Sequence, residues 1–255
     1  DKIVYDVSHQ SYPHKMLTGR VEAYLVEKEY DEVSGYTNPE ESPHDFFNVG
    51  HTSTSISLAT GLAKARDLAG RRENIIAFIG DGSMSGGEAL EGLNVAGEMQ
   101  TNFIIVFHDN DQSIAENHGG MYDQFAELRR TNGAAENNLF KSMGLDYLYV
   151  NDGNDIEALI AAFEQVKDST HPVVVHINTL KGKGYAPAEA NKEKWHWHMP
   201  FDIQTGQSPA SGSSESYASI FAEYALKRAK TDPKFLVLMS AVPGLLGLTQ
   251  ERREE

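Results

Sequence analysis

The sequence contains no cysteine among its 255 residues, so it has no disulfide framework and no thiolate chemistry. It also lacks any run of about 18 apolar residues, which excludes a sequence pattern typical of a membrane-spanning helix. Its first residues, DKIVYDVSHQ, do not combine a basic stretch with an apolar one, and so do not resemble a signal peptide. Together these absences favour a cytoplasmic protein.

Positive charge is scarce. The chain has 22 Lys and Arg against 37 Asp and Glu, which gives a formal net charge of −15. Such a surface repels nucleic acid and anionic membranes, so neither is expected as a partner. A small anionic ligand is still compatible, because a local site can override the overall field.

Apolar runs alternate with helical patterns along the chain. The runs NIIAFIG, NFIIVFHD and HPVVVHINTL are apolar at consecutive positions, as in strands buried on both faces. Between them lie the helical patterns GHTSTSISLATGLAKARDLAG, GGEALEGLNVAGEM and DIEALIAAFEQVKD. This order predicts an α/β fold with a parallel sheet covered by helices on both faces. Residues 21–50, which are acidic and punctuated by Gly and Pro, are predicted to be a surface excursion.

Two of the predicted strands end in residues that suit a metal site. One runs into Gly80-Asp81-Gly82, and the next reaches Asn110 after 27 intervening residues (83–109). Ligands of parallel α/β sheets bind beyond the carboxyl ends of the strands. Carboxylate and amide oxygens suit Mg²⁺, and glycines followed by a helix start suit a phosphate. The spacing therefore predicts a Mg²⁺–diphosphate site, although Gly-Asp-Gly alone is usually only a turn.

Other nucleotide sites are less compatible with the sequence. A P-loop is excluded because the motif G-x-x-x-x-G-K-[ST] is absent, and a nicotinamide site is disfavoured because the G-x-G-x-x-G fingerprint is absent. His9, His51, His196 and His198 lie in predicted loops and are candidates for proton transfer, although most loop histidines are structural. A zinc site at HWH is a weak alternative. Lys181 or Lys183 could reach a phosphate, or both could be solvated loop residues.

Five segments taken together resemble a known family. Gly-Asp-Gly followed by Asn at this spacing is the thiamine diphosphate motif, shared with transketolase. The segments YDVSHQSYPHKMLTGR, GHTSTSIS, GDGSMSGGEALEGLN, NDQSIAEN and KGKGYAPAE resemble, in order and spacing, the 1-deoxy-D-xylulose-5-phosphate synthase family. The resemblance covers nearly the whole chain.

The resemblance implies a reaction and its site residues. The family condenses pyruvate with D-glyceraldehyde 3-phosphate, releases CO₂, and is a thiamine-diphosphate- and Mg²⁺-dependent homodimer that supplies isoprenoid, thiamine and pyridoxal synthesis. By this resemblance Asp81, the Asn110 side chain and the Gln112 carbonyl are metal ligands. The catalytic histidines are His9, His51 and His196. The implied cofactor-binding residues are His9, His51, Thr52, Ser53, Gly80, Asp81, Gly82, Ser83, Asn110 and Lys181.

The sequence departs from the family pattern at several positions. Gln112 stands where the family usually has Met, Ser8 where it usually has Gly, and His108 where it usually has Asn. In WHWHMPFD either His196 or His198 is the counterpart of the family histidine. These departures suggest a divergent branch, so another acceptor remains an alternative, as do a transketolase-type enzyme and a non-catalytic scaffold.

The domain prediction follows from the same resemblance. We expect a diphosphate- and Mg²⁺-binding α/β domain in residues 1–202 that lacks an N-terminal segment, and a linker in residues 203–215. Residues 216–255, with a helix and then a strand, are expected to be the start of a truncated pyrimidine-binding domain. No motif with the activating glutamate of that domain is present. The chain is thus predicted to be part of a longer enzyme and inactive by itself.

Overall fold

A computed structural model of the chain describes residues 1–209, 215–239 and 242–254. The chain divides into two compact units. The first comprises residues 1–113 and 117–183, and the second comprises residues 114–116 and 184–255. Each is described by itself below.

A five-stranded parallel sheet forms the centre of the first unit. Its strands are β1 (Lys2–Tyr5), β2 (Ile75–Gly80), β3 (Phe103–Asp109), β4 (Asp146–Val150) and β5 (Pro172–Asn178). Their order across the sheet is β1-β2-β3-β5-β4, and every neighbouring pair is parallel. The predicted sheet is therefore confirmed, with β3 at its centre.

Helices follow most of the strands, as crossover connections between parallel strands require. The α-helices of the first unit are α1 (Tyr12–Lys15), α2 (Glu22–Leu25), α3 (Ser55–Leu68), α4 (Asp81–Met84), α5 (Gly87–Glu98), α6 (Gly120–Arg130), α7 (Leu139–Ser142) and α8 (Ile156–Val166). A π-helical turn, Met16–Arg20, and a 3₁₀ turn, Glu27–Glu29, flank α2.

Apolar side chains cover both faces of the sheet. On one face, Phe103, Ile105 and Phe107 of β3 pack in a cluster with buried residues of α3, α5 and α6. On the other, Ile104 and Val106 pack with buried residues of α8. Successive strand residues point to opposite faces, so the uninterrupted apolar run of β3 supplies both cores.

Buried charge organises the segment predicted to be a surface excursion. Arg20 donates to both oxygens of Asp45, at 2.7 and 2.9 Å, and the Lys15 ammonium lies 2.9 Å from Glu41. The Asp45 and Lys15 side chains are fully buried. Although burial acts to raise the pKa of Asp45, the hydrogen bonds from Arg20, Asn38 and His14 lower it to about 2. The segment is thus held by ion pairs rather than being merely a solvated loop.

The second unit contains α9 (Ala186–Ala190), α10 (Tyr217–Ala229), a 3₁₀ turn (Pro243–Leu246) and α11 (Gln250–Glu254). The helix predicted after residue 216 is present, but residues 235–239 form no strand, which corrects that part of the prediction. Part of the predicted linker, residues 210–214, and the end of the predicted strand, residues 240–241, lie outside the described residues. No helix in the described ranges is long and apolar enough to cross a membrane.

Candidate active site

The Gly-Asp-Gly turn and the loop after β3 meet at the carboxyl edge of the sheet. Gly80 ends β2 and pairs in register with His108 of β3, which places Asp81 and Asn110 beyond neighbouring strands. A Cβ atom on Gly82 would lie 2.2 Å from the hydroxyl oxygen of Ser113. The second glycine is therefore needed because the loop from Asn110 to Ser113 packs directly against it.

Asp81 is a buried carboxylate with an uncompensated oxygen. The residue is 3% exposed, and its Oδ1 atom accepts a hydrogen bond from the Gly82 N–H at 2.8 Å. In the described part of the chain, its Oδ2 atom accepts no hydrogen bond of normal geometry. Burial and, after it, the charge of Asp109 raise the pKa of Asp81 to about 7, although the N–H groups of Gly82, Asn110 and Gln112 act to lower it. A buried carboxylate in this condition favours a cation beside it.

The loop after β3 supplies further oxygens near Asp81. The N–H groups of Asn110 and Gln112 are close enough to act on the Asp81 carboxylate. The Asn110 side-chain oxygen accepts from the Gln112 N–H at 3.2 Å, and Asp111 between them has a left-handed φ of 64°. The turn thereby brings an amide oxygen to the same edge as the carboxylate. Mg²⁺ typically binds a small number of protein oxygens of this kind. Its remaining coordination positions are filled by phosphate oxygens and water.

A buried network behind the loop holds Asp109, which precedes Asn110. Arg129 of α6 donates to both oxygens of the fully buried Asp109 carboxylate, at 2.8 and 2.7 Å, and also pairs with Asp111. On the other side, His176 Nε2 lies 2.9 Å from Asp109, and Tyr147 donates to His176 Nδ1 at 2.7 Å. Both ends of the network are thus anchored in neighbouring elements.

The surroundings of Asp109 and His176 determine their protonation states. Burial acts to raise the pKa of Asp109, but His176 and Arg129 outweigh it and hold that pKa below its usual value. Burial also lowers the pKa of His176 despite the neighbouring carboxylate. A neutral His176 therefore donates from Nε2 to an ionised Asp109 and accepts at Nδ1.

The segment GHTSTS contacts the Gly-Asp-Gly region through Ser53. The Ser53 hydroxyl donates to the Ser83 carbonyl at 2.8 Å, and the Ser53 N–H donates to Asp6 at 2.9 Å. Asp6 also accepts from the Ser55 N–H at 3.0 Å, so its carboxylate caps the start of α3. His51 and Thr52 are exposed beside it, with His51 Nδ1 2.9 Å from the Thr52 carbonyl oxygen.

His9 and Lys181 approach the same edge from two other strand ends. The pKa of His9 is lowered, chiefly because its surroundings desolvate the imidazole, and the Lys181 charge contributes in the same direction. Lys181 Nζ donates to the Ser113 carbonyl at 2.5 Å. The first unit therefore brings together the predicted positions from His9, from residues 51–53 and 80–83, and from Asn110, Gln112 and Lys181.

His196 and His198 belong to the second unit. The His198 ring stacks on Trp195 at 4.2 Å between ring centroids and 14° between planes, and its Nδ1 atom lies 2.9 Å from the Met199 carbonyl oxygen. His198 thus packs in an aromatic cluster with Tyr185, Trp195 and Phe201. His196 stays the predicted catalytic residue of this segment.

Comparison with known proteins identifies the family of the chain. The sequence model of the family described as 1-deoxy-D-xylulose-5-phosphate synthase matches residues 1–138 and 129–179, more than half of the chain. The chain belongs to the 1-deoxy-D-xylulose-5-phosphate synthase family. Its similar relatives include synthases from Pelotomaculum thermopropionicum (36% identical over 99% of this chain) and Geobacter sulfurreducens (38% over 100%). The chain spans 45% and 46% of the length of these two relatives.

Solved structures with a similar fold include transketolases. A transketolase from Leishmania mexicana superposes with a TM-score of 0.53 at 18% identity, covering 70% of this chain and 28% of the transketolase chain. A mutant transketolase from Pichia stipitis gives 0.54 at 24% identity with the same coverage. These likenesses show that the chain has a transketolase-like α/β fold.

Several polar residues that surround the site were not among the site residues predicted from the sequence. They are Asp6, Gln10, Asp109, Ser113, Arg129, His176 and Thr179. One signal could have found Asp6, because it follows β1 as Asp81 follows β2. The partners from α6 and β5 carry no local sequence signal, since only the folded sheet brings them to Asp109.

Proposed function

We propose that the protein to which this chain belongs is a thiamine-diphosphate-dependent transferase. It condenses pyruvate with D-glyceraldehyde 3-phosphate to give 1-deoxy-D-xylulose 5-phosphate and CO₂, and this chain supplies the diphosphate half of the site. The observation that carries the proposal is the buried Asp81 carboxylate, whose uncompensated oxygen lies against the Asn110–Gln112 loop in a chain of this family. Family membership supports the choice of donor and acceptor.

The metal assignment follows from the donor set. Asp81, the Asn110 side-chain oxygen and the Gln112 backbone carbonyl would hold Mg²⁺, with phosphate oxygens and water completing its shell. Because Asp81 is desolvated and beside the charge of Asp109, a cation would stabilise its ionised form. Gln112 serves as well as Met at this position, since only its backbone is used.

The diphosphate assignment uses the turn between β2 and α5. Gly80, Gly82 and Ser83 would present backbone N–H groups or a hydroxyl to phosphate oxygens, with His51, Thr52 and Ser53 on the adjacent segment. Lys181, anchored at its Nζ atom on the Ser113 carbonyl, would contribute positive charge. The local site would thereby overcome the negative charge of the chain.

The chain's residues would position groups and hold protons. Bound thiamine diphosphate supplies the electron sink for loss of CO₂ from pyruvate and for bond formation to the acceptor. His9, whose lowered pKa keeps it neutral near pH 7, would accept or donate one proton at a ring nitrogen. His51 and His196 are proposed to share this proton transfer. We also propose a cytoplasmic homodimer, on the basis of the family resemblance.

The test uses the full-length protein to which this chain belongs. It is incubated with thiamine diphosphate, Mg²⁺, carboxyl-labelled pyruvate and D-glyceraldehyde 3-phosphate, and CO₂ and sugar phosphate are followed by mass spectrometry. Both products should form, and Asp81→Ala should abolish both. Asp123→Asn, an exposed carboxylate of α6, is the matched control and should retain full activity. Labelled CO₂ without the five-carbon product would indicate another acceptor, and absence of both would direct attention to transketolase donors or to a scaffold.

A further inference from the structure

His108 lies between two side chains from distant parts of the sequence. It is the sixth residue of β3, and its ring is mostly enclosed beside Phe78, at 5.9 Å between ring centroids. His108 Nδ1 lies 2.9 Å from Gln10 Oε1, and His108 Nε2 lies 2.6 Å from Thr179 Oγ1. The bond from Thr179 N–H to the Asp109 carbonyl, at 2.9 Å, fixes Thr179 beside the strand.

The chemistry of these atoms determines the direction of each hydrogen bond. Gln10 Oε1 can only accept, so His108 Nδ1 must carry the proton and donate. A neutral imidazole protonated at Nδ1 accepts at Nε2, so the Thr179 hydroxyl donates to it. Thr179, His108 and Gln10 therefore form a directed series of hydrogen bonds.

The series continues to His9. Gln10 Nε2 lies 3.4 Å from His9 Nε2, and an amide nitrogen can only donate. His9 Nε2 is then the acceptor, and a neutral His9 carries its proton on Nδ1. The direction of every bond follows from the amide of Gln10, whose oxygen is held by His108.

The backbone near Gln10 leaves room for its side-chain amide between His108 and His9. A Cβ atom on Gly80 would lie 3.5 Å from Gln10 Nε2, so the amide occupies the space beside the glycine that precedes Asp81. Just before His9, Val7 and Ser8 have left-handed φ angles of 59° and 76°. A β-branched residue with positive φ is an outlier that the surrounding structure must enforce.

We infer that His108 is a positioning residue that acts through Gln10 to fix the tautomer of His9, with Nδ1 protonated and Nε2 accepting. The role of this tautomer in proton transfer rests on the proposed function, whereas the hydrogen bonds do not. Because a neutral imidazole offers one donor and one acceptor, its tautomer decides which ring atom can give a proton and which can receive one.

The test measures the tautomer directly. The full-length protein is prepared with ¹⁵N-labelled histidine. The His9 imidazole signals are identified by their loss in the His9→Gln variant. Wild type should show a protonated Nδ1. Thr179→Val and His108→Leu should each shift His9 toward the Nε2-protonated form, the shift being larger for His108→Leu. Thr170→Val, the same substitution just before β5, is the control and should leave the His9 signals unchanged.

Kinetics provide the second measurement. Thr179→Val should lower kcat by about fivefold, as expected for the loss of one net hydrogen bond, with little change in KM for pyruvate. If His108→Leu does not fold, His108→Phe replaces it, because it keeps an aromatic ring beside Phe78 but has no nitrogen to contact Gln10 or Thr179. An unchanged His9 tautomer in the folded variants would overturn the inference. A wild type that has the expected tautomer but makes no five-carbon product would refute only the proposed function.

Discussion

At the scale of single residues, Asp81 is buried, and its Oδ2 atom has no hydrogen-bond partner among the described residues. Its raised pKa makes the free energy of unfolding depend on pH. The folded-state pKa of about 7 lies above the ordinary value of 3.8, so between these values the folded state binds more protons than the unfolded state. This contribution to stability is fully present below about pH 4 and is lost as pH rises through 7. The buried Asp81 carboxylate thus lowers the stability of the metal-free protein above about pH 4.

We expect Asp81→Asn to gain stability relative to wild type as pH rises. Between pH 5 and pH 7, the difference in free energy of unfolding should move in favour of the variant by about 2 to 3 kcal/mol, because Asn does not ionise. Urea unfolding in EDTA at several pH values measures it. A difference that is constant with pH would show that Asp81 titrates normally.

Ser8 has a strained backbone conformation, and its side chain makes a buried hydrogen bond. Its φ is 76°, its side chain is fully buried, and its hydroxyl donates to the Val49 carbonyl. Left-handed backbone suits glycine better than serine, so the serine hydroxyl offsets some of the strain through its hydrogen bond.

Two substitutions of Ser8 separate the strain from the hydrogen bond. Ser8→Gly and Ser8→Ala both remove the hydroxyl, but only Ala retains a Cβ atom in the left-handed region. We expect Ser8→Ala to be less stable than Ser8→Gly by about 1 kcal/mol. Urea unfolding of the two variants checks this order. Equal stability, or a more stable alanine variant, would contradict a left-handed Ser8.

At the scale of elements, α6 holds the loop that follows β3. Arg129 at the end of this helix pairs with the buried Asp109, while the adjacent Arg130 forms an exposed pair with Glu127. Two neighbouring arginines of one helix therefore have opposite environments. Breaking a buried pair leaves an uncompensated charge, whereas exposed pairs contribute little.

Replacing Arg129 should therefore affect both folding and metal binding. We expect Arg129→Met to lower the free energy of unfolding by about 3 kcal/mol and to weaken Mg²⁺ binding, because Asp109 precedes Asn110. Arg130→Met is the matched control and should change stability by less than about 0.5 kcal/mol. Urea unfolding and Mg²⁺ titration measure the two effects. Similar losses in both variants would mean that the buried pair has no special role.

The elements also show what the sequence could predict. Strands β2, β3 and β5 were predicted because each appears as a continuous apolar run. Strands β3 and β5 are buried on both faces, whereas β2 is buried on one face and half-buried on the other. The edge strand β4, with the sequence DYLYV, was missed because its residues are mostly half-buried and lack that signature. Asp81 and Asn110 follow from motif spacing, but the partners of Asp109 are contributed by α6 and β5 and depend on tertiary structure.

At the scale of the whole first unit, one sheet separates two apolar cores. Leu93 of α5 is fully buried in the core that includes Phe107, and Val166 of α8 is buried in the core that includes Val106. The two side chains share no apolar cluster, although the same central strand contributes to both clusters. Losses in separate clusters should be independent unless the strand transmits a shift from one face to the other.

A double-mutant cycle tests whether the sheet isolates its two cores. Leu93→Ala should cost about 2 to 4 kcal/mol, and Val166→Ala about 1 to 3 kcal/mol, from lost burial and residual cavities. Their sum should equal the cost of the double variant within about 0.5 kcal/mol, as urea unfolding will show. Exposed Val95→Ala on α5 is the control and should cost less than about 0.5 kcal/mol. A larger coupling between Leu93 and Val166 would mean that β3 moves when one core is weakened. The loop after β3, which carries Asn110, would then respond to packing on either face of the sheet.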